Sequence, residues 1–241
     1  MGRMKLVQSI GVWGDSVMKG VVYDESKSKY TLLSENGADK ASRKLGLRLF
    51  NRSRMGCTVT KGLQLLKKDL QRPDAACDAA LIEFGGNDCD YDWAQVAAHP
   101  EQDHQPRTPL PLFISQLRDM IDLVRQKGMQ PVMMTLPPLH AQRYFDFFTR
   151  DGLSGDSILR WLGDVQHIYR WHERYNTAVM RVAQECGCPL ADVRDAFLAE
   201  RDYGDLLCAD GIHPNAKGHA LMESVLEGFG YAFRRDGILA V

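Results

Sequence analysis

Three side chains in this sequence could together form a nucleophile, a base and an orienting acid. Ser16 stands in Gly14-Asp15-Ser16, directly after an apolar run. On a tight strand-to-helix turn its hydroxyl would project above a sheet, with the N–H groups of the following helix pointing the same way. Taken alone, the tripeptide is also an ordinary turn and helix N-cap. Near the other end, Asp210-Gly211-Ile212-His213-Pro214 puts a carboxylate and an imidazole three residues apart on one loop. That spacing lets the acid reach Nδ1 while Nε2 faces the serine, which is what a serine nucleophile requires of its base. By itself, Asp210 could equally cap a turn before Pro214, leaving His213 incidental.

Two further stretches suit a developing oxyanion. Gly85-Gly86-Asn87-Asp88 follows an apolar segment, and the Asn87 amide can donate there. A Gly/Asn turn needing positive φ is the plainer reading. Gly56, after Asn51-Arg52-Ser53-Arg54-Met55, could add a backbone N–H. No Gly-x-Ser-x-Gly elbow occurs, which weakens an α/β-hydrolase assignment. Neither Cys-x-x-Cys nor His-Glu-x-x-His supports a zinc site, and Cys186-Gly-Cys188 is too tight for the usual spacing. The cysteines (57, 77, 89, 186, 188 and 208) read as reduced, small apolar side chains.

Elements that could position these groups alternate along the chain. Leu6–Trp13, Leu47–Asn51, Ala79–Phe84, Pro131–Leu136 and Pro189–Val193 read as strands, several closed by Gly or Pro. Helical periods or caps mark Ala38–Gly46, Val59–Leu70, Pro109–Lys127, Ile158–Cys186 with a break near Gly163, and Asn215–Phe229. Alternating strands and helices predict a parallel sheet covered on both faces. Ligands then sit beyond the carboxyl ends of the strands, where each candidate residue falls.

The remaining composition is that of a single α/β domain over 1–241. It is 44% hydrophobic and 25% charged with a net charge of −1, which excludes a disordered chain and the basic stripe of a nucleic-acid binder. No apolar run is long enough to span a membrane. The Met1–Trp13 stretch is too short in apolar length for a signal peptide and runs straight into Gly14-Asp15-Ser16. A cytoplasmic location is the expectation.

Gly14-Asp15-Ser16, Gly56, Gly85-x-Asn87-Asp88 and Asp210-x-x-His213-Pro214 occur in the order and strand context of the SGNH, or GDSL-type, hydrolases. The resemblance runs from about residue 6 to about residue 230. It implies a flavodoxin-like, three-layer α/β/α sandwich with a parallel five-stranded sheet. It also implies Ser16 as nucleophile, His213 as base, Asp210 as its acid, and an oxyanion hole of the Ser16 and Gly56 N–H groups with the Asn87 side chain. No metal or organic cofactor is implied. The chain departs from the family pattern at Val17, where the family has the leucine behind one of its names, and before Gly56, where an extra glycine is often found.

Two segments read as insertions that border the site, near 89–108 and 139–171. The first continues an alternation of Asp88, Asp90 and Asp92 that resembles a calcium loop, but Trp93 stands at the glycine position and His99 at the position of the closing glutamate. It reads as a solvated acidic turn, with Asp88 a structural partner of the Asn87 turn. The second carries Tyr144, Phe145, Phe147, Phe148, Trp161, Tyr169 and Trp171, which would staple the insertion to the body. A lid or a homodimer contact are the alternatives. Asp15, Tyr91, Trp93 and His140 are candidate substrate contacts.

The expected function is hydrolysis of short acyl esters, acetyl groups on sugars or oligosaccharides foremost, with a small-molecule ester as the partner. The alternatives are a lysophospholipase or acyl-thioesterase acting on longer chains, an acyltransferase sharing the acyl-enzyme, and a non-catalytic carbohydrate-binding module on the same fold.

Overall fold

The apolar runs form the expected strands in the computed structural model, which describes residues 7–72, 75 and 77–235. In chain order the strands are β1 (Ser9–Gly14), β2 (Val21–Asp24), β3 (Lys29–Leu32), β4 (Arg48–Asn51), β5 (Ala79–Glu83), β6 (Gln130–Met134) and β7 (Leu190–Ala191). Five of them make one parallel sheet in the order β4-β1-β5-β6-β7. Val12 of β1 stands opposite Leu81 of β5, and Leu81 opposite Val132 of β6. The fold is the α/β sandwich that the alternation predicts.

The helices are α1 (Ser16–Lys19), α2 (Gly37–Lys44), α3 (Val59–Asp69), α4 (Trp93–Ala98), α5 (Leu110–Gln126), α6 (Ala141–Thr149), α7 (Gly155–Leu162), α8 (Gln166–Glu185), α9 (Val193–Ala199) and α10 (Ala216–Arg235). Strand periodicity decides which layer each side chain joins. Trp13, Ala80, Ile82 and Met133 pack with α3, α5 and α8 through Leu66, Phe113, Leu117 and Val179. Val12, Leu81, Val132 and Met134 pack with α2, α9 and α10 through Ala41, Phe197 and Met222.

A third apolar cluster lies apart from the sheet. Tyr91, Trp93 and Val96 from one predicted insertion meet Leu139, Phe145, Ile158 and Leu162 from the other. The two insertions therefore form one aromatic cap rather than two independent loops.

Several boundaries differ from expectation. The predicted start of the first strand at Leu6 lies outside the described residues. The last strand is two residues, because Asp192 turns its side chain back to accept the N–H of Asp195 and starts α9. The expected break near Gly163 is present: its φ of +75° ends α7, and α8 begins at Gln166. The β2–β3 hairpin, α4, α6 and α9 have no counterpart in the expected elements. Among the described residues, no helix is long and apolar enough to cross a membrane.

Candidate active site

β1 ends at Gly14, and Asp15 turns the chain by accepting the Val17 N–H on Oδ1 at 2.8 Å. This caps α1, so Ser16 sits on its first turn at the carboxyl edge of the sheet, only 6% exposed. Ser16 Oγ lies 2.8 Å from Nε2 of His213, and Nδ1 of His213 lies 2.5 Å from Oδ2 of Asp210. Asp210 is fully buried, which alone would raise its pKa. The hydrogen bond and charge of His213, with the backbone N–H groups of His213 and Ile212, outweigh burial and hold the carboxyl below its ordinary range. The group at the end of the chain of hydrogen bonds thus stays an anion.

The loop that carries this pair is tightly specified. Cys208 N–H donates to the His213 carbonyl at 2.8 Å, and Leu207 pairs with Pro214 in an antiparallel bridge. Gly211 takes φ +74°, and a Cβ there would meet the Tyr144 nitrogen at 2.7 Å. Only glycine combines that backbone with that approach. The approaching segment is the start of α6 in the cap: His140 N–H donates to the Gly211 carbonyl, and Arg143 Nη1 donates to the Gly204 carbonyl, each at 2.8 Å. Helix α6 therefore braces the loop of Asp210 and His213.

Asn87 follows β5 and faces the serine from the other side. Its Nδ2 donates one hydrogen to Oδ2 of Asp15 at 3.0 Å. An amide nitrogen carries two hydrogens, so the second remains for a group in the cavity that Asn87 lines. Gly56 lines the same cavity at φ +68°. Its loop is tied to the Ser16 turn by the Asn51 side chain donating to the Met18 carbonyl at 2.7 Å and by Arg54 N–H donating to the Gly14 carbonyl at 3.1 Å.

Beneath Asn87 lies a buried carboxyl pair. Asp15 N–H donates to Oε2 of Glu83 at 3.3 Å, and both side chains are removed from water. Burial, then the charge of Asp15, push Glu83 well above its ordinary value. Burial raises Asp15 as well, opposed by its bonds to Val17 and Asn87. Two adjacent buried carboxylates cannot both ionise cheaply. Of the two, Glu83 is raised the further and Asp15 is the one that accepts from Asn87.

These groups open into a cavity of about 220 Å³. Of the candidate contacts, Asp15, Tyr91 and Trp93 line it. Asp15 is spent on Val17 and Asn87, so it is a positioning group rather than a substrate contact. Trp93 stacks on Phe148 at 4.6 Å and donates from Nε1 to Asp90 at 2.9 Å. His140 is a correction: it lies outside the lining and caps α6, Nδ1 accepting the Arg143 N–H, because the chain after Pro137-Pro138 turns directly into that helix.

The acidic alternation is divided among protein donors. Asp88 accepts the Val59 N–H at 2.9 Å, Asp90 accepts Tyr144 and Trp93, and Asp92 caps α4. Burial raises Asp88 to about 7.

Other lining residues carry no motif. Tyr30, from the β2–β3 hairpin, sets its ring 5.3 Å from that of His213. Burial, then the charge of Arg194, lower His172 to about 3, so it is neutral in the wall. Arg194 itself supports the wall by donating to the Leu136 carbonyl at 3.0 Å. The alternation of Val21, Tyr23, Tyr30 and Leu32 about a short polar turn was the one signal in the sequence that could have found the hairpin.

No curated protein sequence matches the chain. Solved structures with the same fold include the lipase/acylhydrolase from Enterococcus faecalis, at 18% identity, TM-score 0.65, and coverage of 94% of this chain and 95% of that one. A psychrotrophic esterase, EstA, from Pseudoalteromonas sp. is similar at 16% identity and TM-score 0.59, over 94% and 98% of the two chains. A catalytic mutant of an acetylxylan esterase from Geobacillus stearothermophilus is similar at 17% identity and TM-score 0.61, over 93% and 94%. The sequence model of the GDSL-like lipase/acylhydrolase family matches residues 12–221, which takes in Ser16, Gly56, Asn87, Asp210 and His213. The chain belongs to the GDSL-like lipase/acylhydrolase family and is a carboxylic ester hydrolase.

Proposed function

We propose that this protein hydrolyses short acyl esters, O-acetyl groups on a sugar or oligosaccharide foremost, through an acyl-enzyme on Ser16. The observation that carries the reading is the continuous chain from Ser16 Oγ to His213 Nε2 at 2.8 Å and from His213 Nδ1 to Asp210 Oδ2 at 2.5 Å. Ser16 Oγ attacks the acyl carbon as its proton passes to Nε2. Asp210 holds the imidazole tautomer and offsets the charge of the imidazolium. The oxyanion accepts hydrogen bonds from the N–H groups of Ser16 and Gly56 and from Asn87 Nδ2. The carbon–oxygen bond to the alcohol then breaks, and the alcohol leaves with the proton from Nε2. Water, deprotonated by His213, attacks the acyl carbon, and the acid departs as Ser16 regains its proton.

The aromatic border supports a sugar. Tyr91, Trp93 and Trp171 line the cavity and give it an aromatic border. The similar acetylxylan esterase has the same fold. A second reading, hydrolysis of longer acyl esters or thioesters, is favoured by a different observation. Leu136, Leu139, Leu162, Ile168 and Ile212 make much of the wall apolar, and the cavity of about 220 Å³ has room for about seven waters at ~30 Å³ each. An acetyl group displaces far less.

Hydrolysis of p-nitrophenyl esters from acetate to decanoate, by the wild type and Ser16→Ala in parallel, tests the proposal. The expected result is a preference for acetate and a loss of about 10³-fold or more in the variant. A preference for the long esters would move the substrate to lipids or thioesters. A wild type inert on the whole series, or a variant of equal activity, would remove Ser16 from the chemistry and leave a binding module.

A further inference from the structure

Beside the catalytic cavity lies a second, open basin of about 450 Å³, lined by Lys19, Arg52, Arg54 and Lys61 together with Ser53 and Met55. No carboxylate lines it. Four cations on one concavity are not a consequence of composition, since the whole chain carries a net charge of −1. Met55 also lines the catalytic cavity, and Gly56, the next residue, lines only the catalytic one. The basin therefore begins at the edge of the proposed oxyanion hole.

Two features separate this basin from a solvated basic rim. Ser53 is 2% exposed, and its Oγ has no hydrogen-bond partner among the described residues. The Nε of Arg52 is likewise buried and unpartnered. A buried donor without a partner is costly, and a ligand that accepts from it removes that cost. The loop is also held in place before anything binds. Ser53 N–H donates to Asn51 Oδ1 at 3.0 Å, Arg52 N–H to the Val12 carbonyl at 2.8 Å, and Arg54 N–H to the Gly14 carbonyl at 3.1 Å. Arg52 lies over the Trp13 ring at 5.6 Å and has Asp69 at 3.9 Å as a distant counter-charge. Lys19, Arg54 and Lys61 have no carboxylate within ion-pair distance among the described residues.

We infer that this basin binds a phosphate group carried by the leaving alcohol or thiol of the substrate. A phosphate presents several acceptor oxygens and up to two negative charges. Arginine forks and lysine ammonium groups meet those charges, and the hydroxyl of Ser53 meets an acceptor. The position fits the chemistry: the acyl carbon sits at Ser16, and the leaving group extends past Gly56 and Met55 toward the cations. The phosphate is unchanged in the reaction. Ser16 Oγ bonds to the acyl carbon, the bond to the phosphate-bearing alcohol or thiol breaks, and that group takes its proton from His213. The inference rests on the esterase reading and narrows its substrate class.

Matched substrates differing only in phosphate test it. One pair is 1-acetylglycerol 3-phosphate and 1-acetylglycerol. The other is S-acetyl-4′-phosphopantetheine and S-acetylpantetheine. The kcat/KM ratio within each pair is measured for the wild type and for the Arg54→Ser, Lys61→Ser double variant. Both positions are exposed, so the fold does not depend on them. The expected result is a preference of about tenfold or more for the phosphate-bearing member of one pair, from several exposed charges acting together. That ratio should fall toward one in the double variant and at 1 M salt, where the screening length is about 3 Å. Which pair responds distinguishes a small phosphorylated alcohol from a phosphate-bearing thiol coenzyme. Ratios at or below one in both pairs, or a preference that survives the double variant, overturn the inference while leaving the esterase reading intact. Inactivity on all four substrates and on p-nitrophenyl acetate overturns both.

Discussion

The floor of the candidate site and the cap above it are built by different forces. The floor is polar and buried, and it is held by directed bonds: Asp210 accepts two backbone N–H groups as well as the imidazole, and Asp15 ties Val17 to Asn87. The cap is an aromatic cluster, with Trp93 stacked on Phe148 and the Tyr91 ring 4.9 Å from Trp161. A hydrogen bond to a charged group has a narrow range of length and angle, so the floor holds one geometry. Aromatic packing tolerates exchange of shape for a moderate cost, so the cap is where specificity can change without loss of the reaction. The join between them is α6, which packs in the cap through Phe145 and braces the His213 loop through Arg143.

The largest expected effect breaks the floor. Asp210→Asn keeps the shape but replaces the anion that fixes the imidazole tautomer. It should lower kcat on p-nitrophenyl acetate by about 10⁴-fold. A loss under tenfold would mean that Asp210 serves the loop and not the histidine.

A cap substitution sharpens the contrast. Trp93→Ala removes a wall of the cavity, and the ratio of kcat/KM for octanoate to that for acetate should rise about tenfold, the scale on which an apolar pocket discriminates size. The kcat on acetate should stay within a few fold. A fall in acetate kcat as deep as that of the floor variant would show that the two regions are not separable.

The smallest effect concerns pH. Glu83 has a folded-state pKa raised above its unfolded value, so its contribution to stability is fully present below about 4.5 and is lost as pH rises through the folded value. Glu83→Gln carries no such proton. Its melting temperature should therefore fall less than that of the wild type between pH 5 and 8, by a few degrees at about 2–4 °C per kcal/mol for a chain of this size. Parallel curves for the two proteins would mean that Glu83 is ionised throughout.

Much of the sheet and of the floor was legible in the sequence because both obey local rules. Buried parallel strands are short apolar runs, and Gly14-Asp15-Ser16 and Asp210-Gly211-Ile212-His213 are turns whose spacing already places donors and acceptors. The hairpin was missed because its strands are four residues long with mixed polarity. His140 was one of the candidate contacts because an N-cap and a pocket residue look alike until the following helix is seen. Nothing local marks Glu83, which becomes a buried acid only when the sheet and the turn after β1 close over it and bring Asp15 beside it.

By itself the sequence determined the alternation of strands and helices, the turns that carry Ser16 and His213, and the family. These are set within a few residues of backbone, where periodicity and turn chemistry act. The tertiary structure decided what depends on distance across the chain. Ser16 and His213 are 197 residues apart and meet only because β1 lies inside the sheet while α10 packs back against α2. The merging of the two insertions into one cap, the buried pairing of Glu83 with Asp15, and the basic basin beside Gly56 arise in the same way. Each is a property of groups that become neighbours only after the sheet is assembled, where burial sets their charge and their partners.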